Sequence, residues 1–221
     1  MTGPEHPAYW RQRWARGETG WHLDEPNPWL VAHASHLPGG GRVLVPLCGR
    51  SRDLAWLARA GWHPVGIEVV EDAARGLFRD ARLVPTERQV SGATHLEAGG
   101  IEVWVADVFE LAPSAVGPVD AWWDRAALVA LPAFLRGRYA ERLRRWLRPE
   151  GRGLLVTLEH DEPEREGPPF SVSPDEVVAS FAPRPVRLLG ELDLRTAAGA
   201  NATHPAPRRA VERLWLIDAL G

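Results

Sequence analysis

The stretch "RVLVPLCGRSRDLAWLARAGWHPVGIE", residues 42–68, decides the fold. An apolar run leads to a single glycine, Gly49. Beyond it Leu54, Leu57 and Ala58 share one helical face, with Ser51 placed to cap the start and Gly61 to end the helix. A second apolar run then closes on Glu68. The spacing predicts strands at 42–47 and 64–68, joined by a helix that begins just after Gly49. Such a corner brings backbone N–H groups and the positive end of a helix to the carboxyl edge of the sheet, where open α/β folds bind ligands. "PLCGRSRD" has one glycine where a pyrophosphate-binding G-x-G-x-x-G needs three, which disfavours a nicotinamide oxidoreductase. Glu68, 19 residues after Gly49, stands where an acid accepts hydrogen bonds from both hydroxyls of a ribose. That suits an adenosine without a 2′-phosphate.

Outward from this unit, short apolar runs alternate with helical segments, the signature of βα units on a mainly parallel sheet. Further strands are predicted at 101–106, 119–123 and 152–158, and helices at about 71–80, 132–147 and 174–181. "PVRLLGELDL" and "AVERLWLIDAL" read as two last strands with no helix between them, hence an antiparallel pair. This makes about seven strands. The first 40 residues are dense in Trp, His and Pro, and "YWRQRWARGETGWH" reads as a short amphipathic helix ending near Gly17 or Gly20. The expected organisation is one domain over 1–221, with an N-terminal segment (1–40) added to a core (41–221). The polar stretches 159–170 and 196–209 are long enough to serve as lids or binding loops.

A chain of 221 residues fits one such domain, burying roughly 70% of the unfolded surface. Its net charge of −3 offers no electrostatic footprint for nucleic acid, so a small-molecule partner is expected. All 26 basic residues are Arg, which excludes Schiff-base lysine chemistry and a lysine-dependent P-loop. One Cys cannot make an intrachain disulfide, and the opening residues lack the apolar core of a signal peptide, pointing to the cytoplasm. No apolar stretch approaches the roughly 18 residues needed to cross a bilayer. The expected state is a monomer, with neither membrane nor nucleic acid as partner.

Two more strand ends carry acids. Asp107 closes "IEVWVAD", with Val108 and Phe109 placed to wall an adenine ring. Asp124 and Arg125 close "VDAWWDR" and are expected to point into the same crevice, where an Arg can hold an anionic group. His33 and His36 are three apart on a predicted helix without the carboxylate pattern of a zinc site, so no metal is expected. "RGRYAERLRRWLRPEGR" is read as the solvated side of an amphipathic helix.

Taken in order, "YWRQRWARGETGWH", "NPWL", "VLVPLCGRSRDLAWLARAGW", "GIE", "DRAALVALP", "RYA" and "GPPFSV" resemble the thiopurine S-methyltransferases, which use S-adenosylmethionine. The match runs from residue 9 to about 172 and loosens over the last 45 or so residues. The resemblance implies an α/β, class I methyltransferase, Rossmann-like fold. Its seven-stranded, mainly parallel sheet would have an antiparallel C-terminal hairpin, helices on both faces and an N-terminal helical lid. It implies Trp10 and Trp14 over the cofactor's sulfonium region, Leu47 and Gly49 at the first-strand corner, Glu68 on the ribose, and Asp107, Val108 and Phe109 around the adenine. Arg125 would reach both cofactor and substrate, while Trp21 and His22 would face the acceptor. Arg208 and Arg209 match a substrate-side loop only in position and charge. The family commonly has Phe where Trp21 stands and Lys where Arg50 stands, which leaves the size of the acceptor pocket open.

The function this implies is methylation of a small thiol, thiopurine-like, or of a related selenium or tellurium acceptor. Its alternatives are a halide or thiocyanate methyltransferase on the same scaffold and a non-catalytic adenosine-binding module. Methyl transfer draws mainly on proximity and orientation, with Arg125 or Arg208 favouring a thiolate and His22 the candidate proton acceptor. Cys48 has no neighbouring His in sequence and no step to perform in a direct transfer. It is assigned to packing.

Overall fold

The computed structural model describes residues 3–161, 167–194 and 210–220. Helices α1 (Pro7–Ala15) and α2 (Pro28–His33) precede β1 (Arg42–Pro46), α3 (Arg52–Arg59), β2 (His63–Glu68) and α4 (Glu71–Asp80). Strands β3 (Thr86–Val90), β4 (Ala93–Ala98) and β5 (Ile101–Val105) follow, then α5 (Pro113–Val116) and β6 (Val119–Asp124). The chain continues through α6 (Ala133–Trp146), β7 (Leu147–His160), α7 (Pro174–Phe181), β8 (Val186–Asp193) and β9 (Ala210–Ile217). They form one sheet of order β3-β4-β5-β2-β1-β6-β7-β9-β8. Strands β5, β2, β1, β6 and β7 run parallel, and β9 lies antiparallel between β7 and β8. The strand order reverses between β1 and β6, which opens the crevice at their carboxyl ends where such sheets take ligands.

The seven expected strands are present, and the sheet carries two more. Strand β3 is exposed along its whole length and has no apolar run, so hydrophobic patterning passes over it. Its hairpin to β4 turns on Ser91 and Gly92, at φ 49° and 82°, and the next turns on Gly99 and Gly100, at 59° and 76°. Two consecutive positive φ values suit the tight turns that match strand twist. Strand β7 also starts earlier than its apolar run, because "LRPEG" is absorbed in a register shift between Val119 and Ala121 of β6.

Consecutive side chains of a strand face opposite sides, and β6 shows what this achieves. Trp122 packs under α6 and α7 with Tyr139, Trp146 and Phe181, whereas Trp123 packs under α3 and α4 with Leu54, Leu57 and Phe78. Both indoles are buried. Truncating either to Ala costs about 3–5 kcal/mol by loss of burial and the cavity left behind. A Cβ at Gly153 of β7 would overlap the Trp122 indole, so the neighbouring strand makes room for it. Among the described residues, no helix is long and apolar enough to cross a membrane.

Candidate active site

The corner after β1 is built from main-chain geometry. Leu47 and Gly49 have φ of 47° and 53°, and Ser51 Oγ accepts the N–H of Asp53 at 3.1 Å to start α3. Gly49 is needed twice over, since its backbone is left-handed and a Cβ there would stand 2.9 Å from the Trp14 ring. Its N–H donates to Glu68 Oε2 at 2.8 Å, and the N–H of Val70 donates to Glu68 Oε1 at 2.7 Å. Burial raises the Glu68 carboxyl above its ordinary value, and these amide bonds pull the other way. Each carboxylate oxygen keeps lone-pair capacity for a hydroxyl donor.

The N-terminal segment closes over this corner. Trp10 and Trp14 meet the Trp21 ring edge-on, with centroids 5.6 and 6.0 Å apart, and the Arg13 guanidinium lies 5.2 Å from the Trp21 centroid. Arg125, just past β6, donates to the Trp21 carbonyl and ties the segment to the sheet. Trp10, Trp14, Trp21, His22, Leu47, Gly49, Glu68 and Arg125 line one cavity of about 420 Å³, within the range of small-molecule sites. Asp107, Val108 and Phe109 line an adjoining space of about 40 Å³ that shares Trp10, Leu47 and Val69 with the larger one. Asp107 Oδ1 accepts the N–H of Phe109 at 2.8 Å.

Charge in the cavity is set by burial. Desolvation lowers the pKa of Arg125, and the carboxylates of Asp53 and Glu212 oppose the shift. An arginine starts so high that it remains a cation. Among the described residues Arg125 has no ion pair within 4 Å. Asp53 is committed elsewhere, accepting from Asn27 N and Trp123 Nε1 at 2.7 Å each. His22 is pushed below its ordinary value by burial and then by Arg50 and Arg52, against Asp24 and Asp80, which favours the neutral imidazole.

The same cavity is also lined by Val129, Ala130, Thr157, Leu158, Pro168, Pro169, Leu194 and Glu212. Sequence reasoning singled out none of them as site residues. The two prolines fall within the 159–170 stretch read as a possible lid or binding loop and within the "GPPFSV" match, and Val129 and Ala130 within "DRAALVALP". Glu212 Oε1 accepts from Trp29 Nε1 at 2.7 Å, and Thr157 Oγ1 accepts from Trp215 Nε1 at 2.8 Å.

One expectation is overturned. Asp124 does not enter the crevice: it is fully buried beneath it, taking the Tyr139 hydroxyl at 2.7 Å and the N–H groups of Leu128 and Ala127 at 3.1 and 3.3 Å. Strand alternation sends Asp124 inward and leaves Arg125 at the cavity. Arg208 and Arg209 lie outside the described residues. Cys48 is 6% exposed, and burial together with the Glu68 charge raises its thiol well above the ordinary value, so it is held as a thiol in the packing under β2. The His33 and His36 rings stack 5.9 Å apart.

Comparison with known proteins agrees with this geometry. A family model described as thiopurine S-methyltransferase matches residues 5–218. The chain is 45% identical over 177 residues to a thiopurine S-methyltransferase of Pseudomonas fluorescens, covering 79% of this chain and 81% of the relative. It is 40% identical over 219 residues to one from Xanthobacter autotrophicus, covering 96% and 98%. In fold it is similar to the 1,6-didemethyltoxoflavin-N1-methyltransferase of Burkholderia thailandensis, solved with S-adenosylhomocysteine bound. That likeness has a TM-score of 0.66 at 18% identity and covers 99% of this chain and 92% of the other. TehB from Haemophilus influenzae aligns with a TM-score of 0.61 at 12% identity, over 95% and 67%.

Proposed function

Because the chain belongs to the thiopurine S-methyltransferase family, whose members are S-adenosylmethionine-dependent enzymes, we propose that it methylates a small thiol of thiopurine type or a related selenium or tellurium acceptor. The observation that carries this is a single cavity lined together by the Gly49–Glu68 corner, by Arg125 and by Trp10, Trp14 and Trp21 of the N-terminal segment. The corner fits the cofactor. Glu68 has lone pairs left for ribose hydroxyls, and Gly49 leaves the space a Cβ would fill.

S-adenosylmethionine, when bound, supplies an electrophilic methyl group on a sulfonium centre. Trp10 and Trp14 would offer aromatic rings to that cation, and Asp107 to Phe109 would hold the adenine. The lid excludes water, so proximity and orientation carry most of the rate. Arg125 holds a cation where the nucleophile sits and lowers the pKa of an acceptor thiol. His22, kept unprotonated, can take up that proton, with Trp21 beside it at the acceptor. The whole chain acts as one domain, residues 1–40 covering the cofactor, and works as a cytoplasmic monomer on a small molecule.

Calorimetry with S-adenosylhomocysteine and a labelled methyl-transfer screen over thiols, halides, thiocyanate and metalloid oxyanions test this. Methyl label on a heterocyclic thiol is the expected result. Label on halide or thiocyanate alone sinks the thiol assignment while keeping the enzyme class.

A further inference from the structure

We infer that His160 is a positioning residue for the acceptor chamber, acting through the Pro168–Pro169 wall. This rests on the proposal that the part of the cavity lined by Pro168 and Pro169 takes the methyl acceptor. His160 is the last residue of β7, and its Nε2 lies 3.2 Å from the carbonyl oxygen of Pro169. A carbonyl only accepts, so Nε2 carries the proton in this contact.

Pro168 and Pro169 line the cavity together with Val129 and Ala130. Neither proline has an N–H, so the wall can be hydrogen-bonded only through its carbonyls. The neighbouring residues are strapped by their own backbone: Phe170 N donates to Val129 O at 2.6 Å, and Val172 N to Leu158 O at 2.8 Å. His160 N adds a bond to Ser171 Oγ at 3.0 Å. At Pro169 itself the hold is the imidazole of His160. His160 Nδ1 is buried and finds no hydrogen-bond partner among the described residues. A side chain kept there for packing alone would do better without a polar atom left unpaired. The Nε2–H bond is what the imidazole provides. Because the strapped segment is bonded to Val129 and Leu158, whereas Glu68 is held by the amides of Gly49 and Val70, its loosening should be felt by the acceptor and not by the cofactor.

The test compares His160→Ala and His160→Gln with the wild type, Gln offering an N–H near the place of Nε2. With 6-mercaptopurine as the probe, His160→Ala is expected to raise the acceptor KM about fivefold, with kcat and the Kd of S-adenosylhomocysteine within about twofold. His160→Gln restores most of the loss. Hydrogen exchange at the Phe170 and Val172 amides should quicken about tenfold in His160→Ala and return in His160→Gln. Unchanged exchange in His160→Ala, a Gln variant as impaired as Ala, or an equal loss of cofactor affinity overturns the assignment. Should the wild type bind the cofactor product and methylate no thiol, the thiol proposal fails by itself. The exchange comparison then still decides whether His160 holds the wall.

Discussion

Strands β2 and β6 lie on either side of β1 and both end in a buried carboxylate, yet the two ends do different work. Glu68 accepts from the amides of Gly49 and Val70 and borders the cavity. Asp124, fully buried, gives its oxygens to the Tyr139 hydroxyl and to the amides of the turn after β6. Burial raises both carboxyls, Asp124 to about 6. An acid at a strand end is therefore no site by itself. Its role depends on which face of the sheet the last residue meets: at β2 that is the glycine corner, and at β6 it is α6, with Arg125 displaced to the cavity.

Four substitutions sharpen or break that contrast. The largest effect is expected from Arg125→Ala, which removes both the cation and the tie to the Trp21 carbonyl: kcat/KM for a thiol should fall about 100-fold. Unchanged turnover and cofactor affinity would show that the β6 end contributes nothing to the chemistry. Glu68→Gln should weaken S-adenosylhomocysteine about 30-fold by calorimetry, since its amide must set an N–H against the N–H of Gly49 or Val70. Asp124→Asn should leave that affinity within about twofold; equal losses in the two variants would erase the distinction.

Asp124 should instead report on stability. Its folded pKa of about 6 lies above the unfolded value near 3.8, so the folded state holds the proton more tightly. The stabilisation is complete below the unfolded pKa and is lost as pH rises toward 6. The loss is at most about 3 kcal/mol over that window. Thermal unfolding from pH 4 to pH 7 should show this slope flattened in Asp124→Asn relative to the wild type. A steeper slope in the variant contradicts the account. The smallest effect belongs to Cys48→Ala, expected to lose about 1 kcal/mol of stability with turnover intact. Lost turnover in a folded, cofactor-binding variant would return Cys48 to the chemistry.

The Gly49–Glu68 corner of the cavity was legible in the sequence because it is local. Gly49, Ser51 and Glu68 sit within one strand–helix–strand unit, whose periodicity and turn residues specify where each backbone group points. The rest of its lining was not. Val129, Thr157, Pro169, Leu194 and Glu212 come from five separate parts of the chain and carry no common spacing. The β3–β4 hairpin escaped for a different reason. A strand exposed on both faces has no hydrophobic pattern, and its hydrogen-bonded edge on β5 appears only once the sheet exists.

By itself, then, the sequence determined the order of the parallel units, the glycine corner, Glu68 at its rim and the family. The first three follow from backbone preferences and apolar periodicity acting over a few tens of residues, and the family from the resemblance of its motifs. Tertiary structure alone decided that Asp124 is buried while Arg125 borders the cavity, that Trp21 is bound by its carbonyl to the end of β6, and that His160 meets Pro169. Each of those depends on which surfaces come together when distant segments pack, and no local pattern records that.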